Sequence, residues 1–114
     1  MYVLDLETVM KNGCIVKFGA IESHYSFFGS IGFDMQIETE YNGILDGIAT
    51  FIFNMKTIED ADDVNVVDFS LVTIVMETDD DMVYLTNELE VTEEAQLYMK
   101  EILKKEMARR LIYN

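Results

Sequence analysis

The segment FDMQIE, residues 33–38, alternates strictly between apolar and polar side chains. Phe33, Met35 and Ile37 are the apolar members, and an acid or an amide follows each of them. Successive side chains of a β-strand point to opposite faces, so this period predicts a strand with one buried face and one solvated face. A chain that contains such a strand needs a second layer of structure to cover the apolar face.

The C-terminal segment predicts that second layer. Thr92 is a suitable capping residue, two acids follow it, and basic residues crowd the end of the segment, as helix ends prefer. Apolar residues recur at helical spacing along it: Ala95, Tyr98, Met99, Ile102, Leu103 and Met107. We therefore expect a helix over residues 92–111 that packs against the sheet.

Two pairs of apolar runs predict hairpins. YVLDLETVM and CIVKFGA flank the dipeptide Asn12-Gly13, which type I′ turns prefer. VVDFSLVTIVME and MVYLTNEL flank the acidic sequence TDDD, residues 78–81. Each pair is expected to form two antiparallel strands, and the second hairpin would have an acidic tip.

Residues 22–56 allow one or two further helices. The sequence ESHYSFFGSI would place Tyr25, Phe28 and Ile31 on one helical face. YNGILDGIATFIFNMK has apolar residues at helical spacing, which favours a helix from about 41 to 55. Its portion IATFIFNM is rich in aromatic and branched residues, however, and is equally typical of a buried strand.

Composition and charge bound the class of protein. Of the 114 residues, 22 are acids and 8 are bases, which gives a formal net charge of −14. Half of all residues in the chain are hydrophobic. This balance is typical of a folded acidic protein and opposes binding to nucleic acid or to an anionic membrane. We expect one α+β domain over residues 1–114, an antiparallel sheet built from hairpins and packed against the C-terminal helix.

The expected location is the cytoplasm. The N-terminus MYVLDLETVM lacks the basic start of a signal peptide, and no apolar run has the length of a membrane-spanning helix. Cys14 is the only cysteine, so the chain cannot form an internal disulfide, which suits a reducing compartment.

Neither the acids nor the nucleophiles form a known chemical motif. Asp60, Asp62 and Asp63 resemble the start of a calcium loop, but Val64 stands where the next ligand belongs, so no metal and no cofactor is predicted. Cys14 and the only histidine, His24, have no spacing typical of a catalytic pair. We expect a protein that is not an enzyme; a small enzyme or metal-binding sensor is the alternative from another class.

The acids concentrate in two clusters. A net charge of about 2 to 8 is enough to keep a small domain soluble, so the excess here indicates recognition of a partner. Carboxylates pair well with the Arg and Lys side chains of a basic protein. The predicted partner-binding residues are Glu59, Asp60, Asp62 and Asp63 in the first acidic cluster, and Glu77, Asp79, Asp80 and Asp81 in the second acidic cluster.

Residues 18–38, FGAIESHYSFFGSIGFDMQIE, resemble a segment of the bacterial immunity protein 70 family. The resemblance implies a cytosolic inhibitor that binds one cognate toxin, often a nuclease, and covers its active site or substrate groove. A phage-encoded inhibitor that mimics nucleic acid against a host nuclease or a defence effector is the alternative. The matching positions are Gly19, Ser26, Phe27, Phe28 and Ile31, and the match ends near Glu38.

Overall fold

The computed structural model describes residues 2–19, 26–58 and 66–113. Five strands form an antiparallel sheet in the order β2-β3-β4-β5-β6, and β1 pairs with β7 in parallel. The predicted α+β class, with a sheet and a C-terminal helix, is confirmed. The elements of the described ranges are β1 Tyr2–Leu4, α1 Leu6–Met10, β2 Cys14–Phe18, β3 Ser26–Thr39, β4 Gly43–Ile58, β5 Val66–Glu77, β6 Met82–Tyr84, β7 Leu89–Val91 and α2 Glu93–Tyr113.

One face of the five-stranded sheet, here called the inner face, carries the core. The alternation predicted for β3 is confirmed, because Phe33, Met35 and Ile37 are buried and the polar residues between them are exposed. The neighbouring strand β4 adds Phe51, whose ring meets that of Phe33 edge to face with 6.0 Å between centroids. Aromatic pairs in this geometry stabilise a core beyond the apolar area that they bury.

Helix α2 covers the inner face, as predicted. The Ala95 amide donates to the Thr92 hydroxyl at 3.3 Å, so Thr92 caps the helix. The predicted apolar stripe is also confirmed: three of its residues belong to the buried core and the other three pack against it. Neither described helix combines the length and the apolar composition that crossing a membrane requires. The face of the sheet opposite α2 is here called the outer face.

Strand β5 contains a β-bulge that keeps two of its apolar residues on the inner face. The pairing with β4 passes from Ile52–Thr73 directly to Phe53–Leu71, so Val72 is an extra residue. Since a shift by one residue turns every following side chain to the opposite face, Phe69 and Leu71, which pack against the core, would lie on the outer face without the bulge.

The helices considered within residues 22–56 are wrong wherever that range is described. From Ser26 onward the chain forms the long hairpin of β3 and β4, and Gly43 has the positive φ of 68° that its turn uses. Ile44, Ile48 and Ile52 produced the helical pattern, but a spacing of four residues also keeps side chains on one face of a strand. Residues 22–25 lie outside the described ranges.

The hairpin predicted around Asn12-Gly13 is also wrong. After β1 the chain forms α1, because the Asp5 carboxylate accepts hydrogen bonds from the Thr8 amide at 2.9 Å and the Thr8 hydroxyl at 2.7 Å. The side chain of Asn12 donates to the Thr8 carbonyl at 3.1 Å and closes the helix. These local hydrogen bonds favour a capped helix over the strand that the apolar residues suggested.

Candidate functional site

The second acidic cluster includes the tip of the hairpin formed by β5 and β6. This hairpin was predicted and is confirmed. Thr78 closes its turn, since the amide and hydroxyl of Thr78 both donate to the Asp81 carbonyl, at 2.9 and 3.1 Å. The Asp81 amide in turn donates to the Thr78 hydroxyl at 3.0 Å. These hydrogen bonds hold the tip in a defined shape.

The carboxylates of this cluster differ in setting. The Asp81 Oδ1 atom accepts a hydrogen bond from the Met82 amide at 2.8 Å, so part of its capacity is used within the hairpin. Asp79 and Asp80 are exposed, and within the described part of the chain they make no hydrogen bond or ion pair. Glu77 lies outside the turn, on the outer face of the sheet. Asp79 and Asp80 are therefore the two carboxylates of the tip that are exposed and unpaired among the described residues.

Several predicted residues cannot be placed. Glu59, Asp60, Asp62 and Asp63, which form the first acidic cluster, lie outside the described residues, as does His24. Their roles stay predictions. Among the residues that are described, no group of three or more His, Cys, Asp or Glu side chains is arranged to hold a metal ion.

Cys14 lies at the start of β2 and is exposed. Partial burial raises the pKa of its thiol above the usual value, and the Glu106 carboxylate raises it further. A thiol with a raised pKa stays protonated at neutral pH and is a weak nucleophile. The surroundings of Cys14 therefore do not activate it.

The outer face carries an apolar patch that the sequence did not predict. Ile15 and Tyr84, at the two edges of the sheet, are 57% and 67% exposed. Ile48 and Met82 lie one row further along and are 36% and 54% exposed. Exposed apolar patches on soluble proteins commonly mark interaction sites. The row that crosses all five strands consists of Ile15, Gly32, Thr50, Val75 and Tyr84.

Charged residues give this patch an acidic end. Asp34 and Glu77 pair with Ile48 from the two neighbouring strands, and both carboxylates are exposed. Lys17 and Lys56 lie on the same face toward the opposite end of the strands. Among the described residues the ion pairs are Lys11–Glu7 and Arg109–Glu106, so Asp34 and Glu77 have no basic partner there. The acidic end is thus free to attract cations.

The surface of the described part of the chain also has a shallow depression and a cleft near these residues. A depression of about 160 Å³ lies over Gly32 on the outer face, between Ile15 and Ile48. A cleft of about 400 Å³ lies between the β3–β4 turn and the segment before β7, and its lining includes Tyr41 and Glu88. Both combine residues that are far apart in the sequence, which is why charge and spacing along the chain did not reveal them.

The resemblance of residues 18–38 to the immunity protein 70 family stays a prediction. In that segment Phe28 is 43% exposed on β3, whereas Ile31 is buried in the core. No protein-family model matches the chain, and neither a curated protein nor a solved structure matches it.

Proposed function

We propose that this protein is an acidic inhibitor that binds one basic protein partner. In this function it acts as an immunity protein that covers the active site or substrate groove of a nuclease-like toxin. The observation that carries the proposal is the hairpin tip, where Asp79 and Asp80 are exposed on a turn that Thr78 and Asp81 close. Carboxylates held on a preorganised turn lose little conformational entropy when they pair with Arg or Lys side chains.

The net charge supports the same function. At −14 the protein attracts a basic partner over several ångströms and repels nucleic acid, which a nuclease binds through phosphate-contacting Arg and Lys. Carboxylates that occupy the substrate groove of the nuclease exclude the phosphates of its nucleic-acid substrate. Such attraction raises association rates and weakens as salt increases. A phage inhibitor that mimics nucleic acid would use the same electrostatics, so the identity of the partner distinguishes the two.

Capture from the native host tests the proposal. Tagged parent protein and the double variant Asp79→Asn/Asp80→Asn are used as baits, and captured proteins are identified by mass spectrometry. We expect the parent to enrich a protein of high isoelectric point, and the variant to bind the purified partner about tenfold more weakly or worse. The double variant Glu93→Gln/Glu94→Gln removes the same charge from the exposed first turn of α2 and serves as the control.

Two results would contradict the proposal. One is that the captured proteins are acidic or neutral. The other is that the Asp79/Asp80 and Glu93/Glu94 variants bind a basic partner with equal affinity at low salt, because the tip would then contribute only net charge. Co-expression provides the functional readout: the partner alone should inhibit growth, and the parent protein should restore it more effectively than the tip variant.

A further inference from the structure

The depression on the outer face exists because Gly32 has no side chain. Gly32 lies on β3 between Ile15 of β2 and Thr50 of β4. A Cβ atom at Gly32 would lie 3.0 Å from Ile48 Cγ2 and 3.5 Å from Thr50 Oγ1. The space that these side chains leave open is about 160 Å³, which suits one inserted side chain rather than a small-molecule ligand of ordinary size.

The lining of the depression is asymmetric in chemistry. Ile15 and Ile48 form exposed apolar walls, and Glu77 lines the end nearer to the hairpin tip. Asp34 lies beside Ile48 on the side opposite Glu77, so the two carboxylate-bearing residues are roughly 10 Å apart, or two strand spacings. Lys17 lines the other end. An inserted group would thus meet apolar carbon first, negative charge at one end and positive charge at the other.

The geometry points to a long basic side chain of the protein partner, best an arginine, as the occupant of this depression. Its methylene groups would lie against Ile15 and Ile48, because long basic side chains bury their stems on apolar surface while the charged head stays near water. The guanidinium would form a charge-assisted pair with Glu77, directed away from Lys17. The inference rests on the proposed function in one respect, namely that the partner is a basic protein.

A second copy of this chain is a poor occupant. Each copy carries a net charge of −14, so association of two copies opposes a strong like-charge repulsion. A partner that presents apolar residues next to an arginine matches both the exposed patch and its acidic end. Interfaces of this kind are commonly dominated by a few anchors of which arginine is one of the most frequent.

Nuclear magnetic resonance of the full chain tests the depression with defined probes. The probe is the blocked tripeptide N-acetyl-Gly-Arg-Gly-amide, and the control is the same peptide with citrulline, which has nearly the same shape without the charge. We expect the arginine peptide to shift the amide resonances of Gly32, Thr50 and Glu77 most strongly. The citrulline peptide should bind about tenfold more weakly, as the loss of a charge-assisted hydrogen bond predicts.

Two substitutions test the site from the side of the protein. Gly32→Ala fills part of the depression without changing the charge and should lower the affinity for the arginine peptide about tenfold. Its effect on stability should be small, because Ala suits a strand better than Gly and the Ile48 Cγ2 methyl has to shift by only a few tenths of an ångström. Glu77→Gln should lower the affinity for the arginine peptide to a similar extent. Glu90→Gln, an equal charge change at the exposed residue of β7, should leave the affinity unchanged.

The outcomes separate this inference from the proposed function. If the largest shifts occur at Asp79 and Asp80 or in the Tyr41–Glu88 cleft, or if Gly32→Ala binds the peptide as the parent does, the depression is not the arginine site. The proposed function then stands or falls on capture of a basic partner by the hairpin tip. If the peptide occupies the depression but no basic partner is captured, the site is supported and the proposed function is overturned.

Discussion

Gly47 shows how closely two backbone segments approach each other at a single residue. A Cβ atom at this position would overlap the Glu77 carbonyl oxygen, so only glycine fits without moving the backbone where β5 ends. We expect Gly47→Ala to lower the free energy of unfolding by about 1 to 3 kcal/mol or more, the range of forced overpacking. Thermal and urea unfolding would measure the loss.

Gly13→Ala is the matched control for Gly47→Ala. Nothing lies within 4 Å of a Cβ atom at Gly13, and its φ angle is not positive. Alanine there reduces the freedom of the unfolded chain and should stabilise the protein by about 0.4 to 1 kcal/mol. If both variants unfold at the same denaturant concentration, the close approach of Gly47 to the end of β5 is not a feature of the folded protein.

Among the secondary-structure elements, helix α1 depends on a single capping carboxylate, that of Asp5. Hydrogen bonds from the side chain and the amide of Thr8 lower the pKa of Asp5 below its ordinary value of 3.8. A lowered pKa in the folded state means that the ionised group stabilises the fold. That contribution is fully present above the unfolded value and is lost as the pH falls through the folded one.

We therefore expect Asp5→Ala to lower the Tm at neutral pH, and the deficit relative to the parent to shrink once the pH is well below 3.8. Asp5→Asn should lose less than Asp5→Ala at neutral pH, because an asparagine side chain also caps helices well. Paired melting curves across this pH range provide the measurement. A deficit that is the same at every pH would show that the charge of Asp5 has no role in the cap.

The elements that the sequence predicted correctly are those whose local pattern agrees with their tertiary role. Strand β3 alternates because one face is buried, and α2 has both a cap and an apolar stripe. The pattern of β4 misled because Ile44 and Ile48 are apolar residues on the exposed outer face. The pairing of β1 with β7 joins segments that are almost a whole chain apart, and nothing in the local sequence of either indicates it.

The candidate site divides in the same way. The position of Asp79 and Asp80 at a hairpin tip could be predicted because they are consecutive and flanked by strand-forming residues, whereas their role stays a prediction. The depression over Gly32 could not, because its walls come from β2 and β4 and its acidic end from β5. The residues that broke the expected pattern of β4 include Ile48, which lines this depression. Local departures from the pattern that a fold requires are often found where a surface binds something.

At the scale of the whole molecule, the acidic residues form separate regions of negative potential and do not combine into a single electrostatic field. The protein extends 48 Å along its longest axis, whereas charges are screened over about 10 Å at 0.1 M salt. Among the described residues only Glu7 and Glu106 pair with a base, so most acids repel their neighbours within each region. Solvated like charges of this kind lower the stability of the folded state through their mutual repulsion.

The salt dependence of folding tests this view. We expect the Tm of the parent to rise with sodium chloride concentration, because screening relieves repulsion between neighbouring carboxylates. At low salt, the Tm of Asp79→Asn/Asp80→Asn should equal that of the parent or lie slightly above it. The corresponding gain in the free energy of unfolding should be no more than about 0.5 kcal/mol, and the difference should vanish at high salt. Calorimetric melting across a salt series measures both effects.

A lower Tm of the tip variant at low salt would mean that Asp79 and Asp80 support the turn itself. Asp81 provides the internal comparison, because its carboxylate accepts the Met82 amide and its replacement by alanine should lower the Tm. If only the Asp81 variant is destabilised, the tip separates into one carboxylate that shapes the hairpin and two that are available to a partner. Weaker partner binding by the Asp79/Asp80 variant could then be assigned to lost contacts and not to partial unfolding.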